Sequence, residues 1–333
     1  MKRIGIMTAA ILASLGFYQS APACTDFRLT AKDGTVLITR SMEFALDLKS
    51  NLCTSNRDRN VVTNGPDGKP TMSWKTKWGY AFMNGLGVDM AVDGMNEKGL
   101  AFEALYLPGL AQYQTVPADK ASQAVPYYNF GDYILGNFET VDQVRAALNN
   151  MYVYAEKLPQ AGDVIFPLHF NITDATGKSI VVEYIGGKLT VYDNKIGVMT
   201  NSPSYDWHMT NLDNYVHLRP QNPNPVVVNG LTFAANGQGF GMVGLPGDIS
   251  PPSRFVKIAT LLQVVTPVNN ANDAVNLAQH VINNVDIPLG LAREPGNGNI
   301  TNETTEWVVF KDLTHKIFYY RTYSDLTLRA VSF

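Results

Sequence analysis

The sequence predicts a layered α+β protein in which antiparallel sheets carry helices on their outer faces. Short strand-like runs bounded by turn residues fill the start, middle and end of the chain. Two pairs of helical segments interrupt them, and that alternation is the order expected of sheets covered by helices. A composition of 45% hydrophobic and only 17% charged residues supplies the apolar surface for a sizeable core and excludes disorder.

Taken in order, Cys24 to Leu29 reads as a strand, Lys32-Asp33-Gly34 as a turn and Thr35 to Arg40 as the returning strand of a hairpin. Residues 45–70 are polar and read as loop, ending in Gly65-Pro66-Asp67-Gly68. Strands are expected at 78–83, 87–92 and 100–106, with Asp93 to Gly99 as a turn between the last two. A helix fits 127–137. A second opens at the capping box Thr140-Val141-Asp142-Gln143, in which cap and third residue satisfy each other's backbone N–H groups, and runs through Leu148. Strands resume at 164–173, 179–184, 188–192 and 196–200. Pro251 and Pro252 suit the first turn of a helix to Val265, where a missing N–H costs nothing. Another helix fits 272–285, and strands close the chain near 305–311, 316–323 and 326–332. No repeat or linker divides residues 24–333, which are expected to form one catalytic domain.

Residues 1–23 read as an address. Lys2 and Arg3 precede an uncharged, largely apolar run from Ile4 to Phe17, then the small-x-small site Ala21-Pro22-Ala23, the pattern of a secretory signal peptide. The apolar run is too short to span a bilayer. The mature chain is therefore expected to start at Cys24, to be exported to the periplasm or secreted, and to have no membrane span. With 26 basic against 29 acidic residues there is no basic footprint for nucleic acid.

Cleavage after Ala23 would give Cys24 a thiol and a free α-amine within one residue. The amine titrates at about 7.7–8.0 and the thiol near 8.5, so a proton acceptor stands beside a nucleophile that needs one. Two other readings stay open. Bacterial lipoproteins also begin at a cysteine, although their signals place an aliphatic residue where this chain has Ala21. In an oxidising compartment Cys24 and Cys53 could pair.

Other residues gain weight from position. If Cys24 and Arg40 lie on paired strands, the guanidinium comes alongside the thiol and favours thiolate. Glu43 could hold the α-amine by a charge-assisted hydrogen bond. Asn201, after the strand 196–200, could donate to a developing oxyanion. Arg254 sits in a helix's first turn, a poor place for a cation in dipole terms, which points to a specific partner. Gly239-Phe240-Gly241-Met242-Val243-Gly244 matches a dinucleotide fingerprint by letter, but Pro246, Gly247 and the late opening of the helix argue against the context it needs, so it reads as loop. The five histidines form no metal spacing, and neither metal nor cofactor is expected.

Six motifs in order resemble the choloylglycine hydrolase and penicillin V acylase family of N-terminal nucleophile hydrolases. They are Cys24-Thr25-Asp26-Phe27, Arg40-Ser41-Met42-Glu43, Asp93 through Leu100, Thr200 through Trp207, Gly244 through Asp248, and Ser253-Arg254-Phe255. The resemblance implies a four-layer αββα fold and hydrolysis of a linear amide. It implies Cys24 as nucleophile, Arg40 beside the thiol, Asn201 in the oxyanion hole and Arg254 completing the site. It also implies no cofactor and commonly a homotetramer. Two departures stand out. Glu43 occupies a position that is usually aspartate, and Tyr106 one where many bile-salt hydrolases have asparagine, so only a backbone N–H of Tyr106 carries over to the oxyanion hole. The expected partner is a small N-acyl amide: penicillin V, an N-acyl homoserine lactone or, as the alternative, a conjugated bile salt. Phe44, Tyr106 and Tyr205 are candidate walls for its acyl pocket.

Overall fold

A computed structural model describes residues 23–65, 68–295 and 300–333; of the leader expected over residues 1–23, all but Ala23 lies outside the described residues. Two seven-stranded antiparallel sheets lie face to face. The first runs Val198–Met199, Cys24–Thr30, Val36–Phe44, Ile300–Asp312, Ile317–Thr322, Asp325–Ser332, with Ala292–Pro295 also paired to the long Ile300–Asp312 strand. The second runs Lys188–Asp193, Ser179–Ile185, Leu168–Thr173, Ala101–Tyr106, Val88–Asn96, Tyr80–Gly85, Leu52–Ser55.

Helices cover the outer faces. Phe130–Asn137 packs on Val88–Asn96 and Ala101–Tyr106, and Val141–Leu148 buries Val141, Val144 and Leu148 in the same layer. On the other side Pro251–Val264 and Ala271–Ile282 bury Phe255, Ile258, Val275 and Ala278 against the first sheet. The result is an αββα sandwich. Half of the capping box forms as read, the Thr140 hydroxyl accepting from the Gln143 N–H at 3.3 Å; in the other half Gln143 Oε1 accepts from the Glu139 N–H at 2.8 Å, one residue ahead of the cap, instead of from Thr140.

The hairpin at the head of the chain stands where expected. Two readings need correction. Residues 45–70 hold the strand Leu52–Ser55, an edge of the second sheet, and Asn60–Asn64, which pairs with Pro70–Lys75 in a separate hairpin. Their polar composition reflects strands with one face in solvent. The stretch Asp93–Gly99 is mostly strand: Val88–Asn96 runs on through it, and only residues 97–99 turn. Its turn-like letters serve the interior. A side chain at Gly94 would meet Leu135 at 2.6 Å where the helix packs, and Gly99, at φ +78, passes 2.2 Å from the Leu313 carbonyl oxygen by the same measure. Val226–Val228 and Leu231–Phe233, not foreseen, form an exposed hairpin around Asn229-Gly230, both at positive φ, as a tight two-residue turn requires. No helix among the described residues is long and apolar enough to cross a membrane.

Candidate active site

Register builds the site. Cys24 lies opposite Met42 and Asp26 opposite Arg40, so these four side chains share the face turned to the second sheet, with Arg40 diagonal to the thiol. Arg40 Nη2 is 3.6 Å from Cys24 Sγ, and Met42 Sδ is 3.7 Å from it. The second sheet pins the guanidinium: Nη1 donates to the Val92 carbonyl at 2.8 Å and Nη2 to the Ala104 carbonyl at 2.6 Å, with Asp93 Oδ2 at 3.4 Å from Nη1.

The same register logic brings in Asn201. Asp26 pairs with Met199 at the sheet edge, and continuing that antiparallel ladder by two residues sets Asn201 beside Cys24. Its Oδ1 accepts from the Cys24 backbone N–H at 2.7 Å and from Arg254 Nη2 at 2.8 Å, which fixes the amide's orientation. Nδ2 then donates to the Tyr106 carbonyl at 2.9 Å, and among the described residues its second hydrogen has no protein acceptor. Arg254 also donates to the Cys24 carbonyl, to Thr25 Oγ1 at 2.6 Å and to the Ile249 carbonyl at 2.8 Å. Its unfavourable place in the helix's first turn is thus explained by four acceptors. His208, which sequence reasoning did not single out, holds the Asn201 carbonyl through Nε2 at 2.8 Å; burial pushes it down to about 4, so it donates as a neutral imidazole.

Glu43 faces the helix side of its strand. Thr305 Oγ1 donates to its Oε1 at 2.9 Å, its Oε2 is buried without a partner, and burial pushes the carboxyl up to about 8 against the pull of Arg254. The expected contact between Glu43 and the Cys24 nitrogen is not made while Ala23 is attached. The nitrogen is then an amide with one hydrogen, and Asn201 takes it. The Glu43 backbone N–H instead donates to the Ala23 carbonyl at 3.0 Å. The thiol needs a correction too. Burial pushes it above its ordinary range, and the opposing pull of Arg40 is the smaller effect; Glu43 adds to the rise.

Both cysteines are free, which removes the Cys24–Cys53 pairing. The thiol opens on a narrow apolar cavity of about 60 Å³ bordered by Met42, Phe44, Met90, Tyr106 and Phe166. Tyr106 closes it through edge contacts to Phe44 and Phe166, with ring centroids at 6.1 and 5.9 Å. Tyr205 is not a wall: it packs on Tyr192 and Phe255 and bonds Asn194 through its hydroxyl at 3.0 Å. Among the described residues no group of three or more side chains could hold a metal, and Gly239 to Gly244 forms a short 3-10 turn in a loop.

These features define a four-layer αββα sandwich of the N-terminal nucleophile hydrolase type. The chain belongs to the linear amide C–N hydrolases of the choloylglycine hydrolase family, whose model matches residues 24–333, and it is accordingly a hydrolase of linear amide C–N bonds. It is 34% identical to the bile salt hydrolase/transferase of Clostridium perfringens, covering 92% of each chain, and 28% identical to the penicillin V acylase of Pectobacterium atrosepticum, covering 94% of this chain and 78% of that one. Among solved structures it superposes on a variant of the conjugated bile acid hydrolase of Clostridium perfringens with a TM-score of 0.81, at 32% identity over 93% of this chain and 92% of that one. The penicillin V acylase of Agrobacterium tumefaciens gives 0.72, at 26% identity over 93% and 86%.

Proposed function

We propose that the mature protein is one exported catalytic domain, residues 24–333, which cleaves N-acyl amides through a Cys24 acyl-thioester. The observation that carries this reading is the thiol at the head of its strand, flanked by Arg40 and linked through its own nitrogen to Asn201 and Arg254. That the family match begins at Cys24 supports the same start. In the proposed reaction the freed α-amine takes the thiol proton, directly or through water, and the sulfur attacks the amide carbonyl. The second Asn201 Nδ2 hydrogen and the Tyr106 backbone N–H stabilise the oxyanion. The C–N bond breaks as the ammonium returns its proton to the leaving amine. Water, activated by the same amine, then cleaves the thioester, releasing the acid and restoring Cys24.

The narrow apolar cavity favours a slim acyl group, so penicillin V and N-acyl homoserine lactones are the preferred substrates. Bile-salt cleavage is the second reading, favoured by the bile salt hydrolase/transferase of Clostridium perfringens being a relative. Assembly of several copies is part of the proposal, supported by the exposed apolar hairpin around Asn229-Gly230. Cys24→Ser should keep the fold and lose nearly all turnover. Penicillin V, a long-chain acyl homoserine lactone and glycocholate compared on one preparation rank the substrates. Full activity of Cys24→Ser, or a diacylglyceryl mass on Cys24, would overturn the reading, the latter in favour of an exported lipoprotein.

A further inference from the structure

Behind Arg40, on the side away from the thiol, lies a group of charges that the reaction above leaves unused. Asp93 and Glu103 sit directly opposite each other on neighbouring antiparallel strands, a pairing of like charges that is unfavourable by itself. Lys311 reaches across from the other sheet and places Nζ 2.6 Å from Asp93 Oδ1 and 2.5 Å from Glu103 Oε1. The other oxygen of Asp93 faces Arg40. All four side chains are completely buried, so no solvent screens an error in their balance.

The remaining groups that face this cluster are Asp26, on the strand of Cys24, and Asn171, on Leu168–Thr173. Asn171 Nδ2 donates to Asp26 Oδ2 at 2.6 Å and lies 3.1 Å from Glu103 Oε2. Asp26 Oδ1 has no partner. Three carboxyls thus meet two cations. Burial, reinforced by the charge of Glu103, pushes the Asp26 carboxyl well up, and burial also pushes Glu103 up to about 7 against the pull of Lys311, so the ammonium is what favours the charged form of Glu103 beside Asp93.

We propose that Lys311 is a positioning residue for the reaction at Cys24: by holding Asp93 and Glu103 together it keeps one Asp93 oxygen on Arg40 and Arg40 against the thiol. Without the ammonium, Asp93 and Glu103 face each other across a ladder rung and settle by sharing a proton, which turns Asp93 towards Glu103 and away from Arg40, and the guanidinium loses the partner that holds it against the sulfur. The proposal rests on Cys24 being the nucleophile, and it adds that the thiolate is set from behind Arg40 by a residue that neither lines the cavity nor touches the sulfur.

The test is alkylation of Cys24 by iodoacetamide across pH, read by intact mass in a Cys53→Ser background of the mature chain. Lys311→Met should raise the apparent thiol pKa by about one unit, cutting the thiolate roughly tenfold at neutral pH, and lower kcat with little change in KM. Lys311→Met/Glu103→Leu, which removes a cation and an anion together and leaves Asp93 to Arg40, should return the profile to that of the parent. A folded Lys311→Met with the parental profile overturns the proposal. So does a double variant whose profile stays shifted, and this second arm decides alone if the single variant does not fold. Alkylated protein that keeps full turnover would instead overturn Cys24 as nucleophile, a separate outcome because labelling is read without turnover.

Discussion

Asn201 is the residue at which scaffold and chemistry separate most cleanly. Its amide accepts two hydrogen bonds, from Cys24 and Arg254, and donates one to the Tyr106 carbonyl, all within a fully buried site. Asn201→Ala removes the three together. At ~1–3 kcal/mol for each buried group left unpaired, partly relieved by rearrangement, the fold should lose roughly 3–6 kcal/mol. Asn201→Asp behaves differently. It keeps an oxygen towards Cys24 and Arg254 and strengthens the second contact by charge, but puts oxygen against oxygen at Tyr106 and has no N–H to offer an oxyanion. Loss of one oxyanion donor costs about 10²–10³ in kcat, near 2.7–4 kcal/mol. The expected pattern is thus a large stability loss with a kcat loss for Ala, against a small stability loss with at least the same kcat loss for Asp. Denaturant titration and steady-state kinetics on the best substrate of the panel measure both. Asn201→Asp with kcat within about threefold of the parent would refute the oxyanion role.

Three further outcomes follow from the same geometry. Tyr106→Ala opens the cavity between Phe44 and Phe166 and should raise kcat/KM for glycocholate relative to penicillin V by about tenfold or more; an unchanged ratio would show that the ring does not set selectivity. In a form retaining residues before Cys24, Glu43 binds its proton up to about 8 rather than at its ordinary 4.5, so the folded state holds more protons than the unfolded one across that window and stability falls as pH rises. Glu43→Gln should remove that contribution, at most ~1.4 kcal/mol per pH unit, and denaturant titrations at pH 5 and pH 8 that show no growing advantage for the variant would contradict it. Val227→Lys with Phe233→Lys, on residues 66% and 58% exposed, should lower the solution mass measured by light scattering; an unchanged mass would remove the hairpin from assembly.

The site was legible where it follows from register. A strand from Cys24, a turn at Gly34 and a returning strand through Arg40 already bring cation and thiol together, and the poor dipole position of Arg254 already asked for a partner. The exposed hairpin also leaves a signal in the sequence, an Asn-Gly pair between Val226-Val227-Val228 and Leu231-Thr232-Phe233. What the sequence hid is long-range charge. Glu103 is a lone charge inside an apolar strand and Lys311 sits beside Asp312 at the end of another, and their mutual purpose depends on two sheets being stacked. Asp93 has the neighbours of a turn residue, Gly, Asn and Glu, and only helix packing against Gly94 explains why those letters belong to a strand. The strength of burial at Cys24 was equally out of reach, since pairing of strands says nothing about what covers them.

That burial sharpens the proposed role of the N-terminus. The side-chain contacts of Arg40, Asn201 and Arg254 around Cys24 are all in place with Ala23 still attached, so cutting the Ala23–Cys24 bond need not build the site. It changes one atom's chemistry. An uncharged amide N–H becomes an amine that can take a proton, beside a thiol whose ionisation burial opposes. Glu43, whose Oε2 has no partner, holds its proton because burial outweighs the pull of Arg254. On the proposed mechanism the freed α-amine would be a second cation for that carboxyl, which would give up its proton as the ammonium forms and let the amine cycle between acid and base.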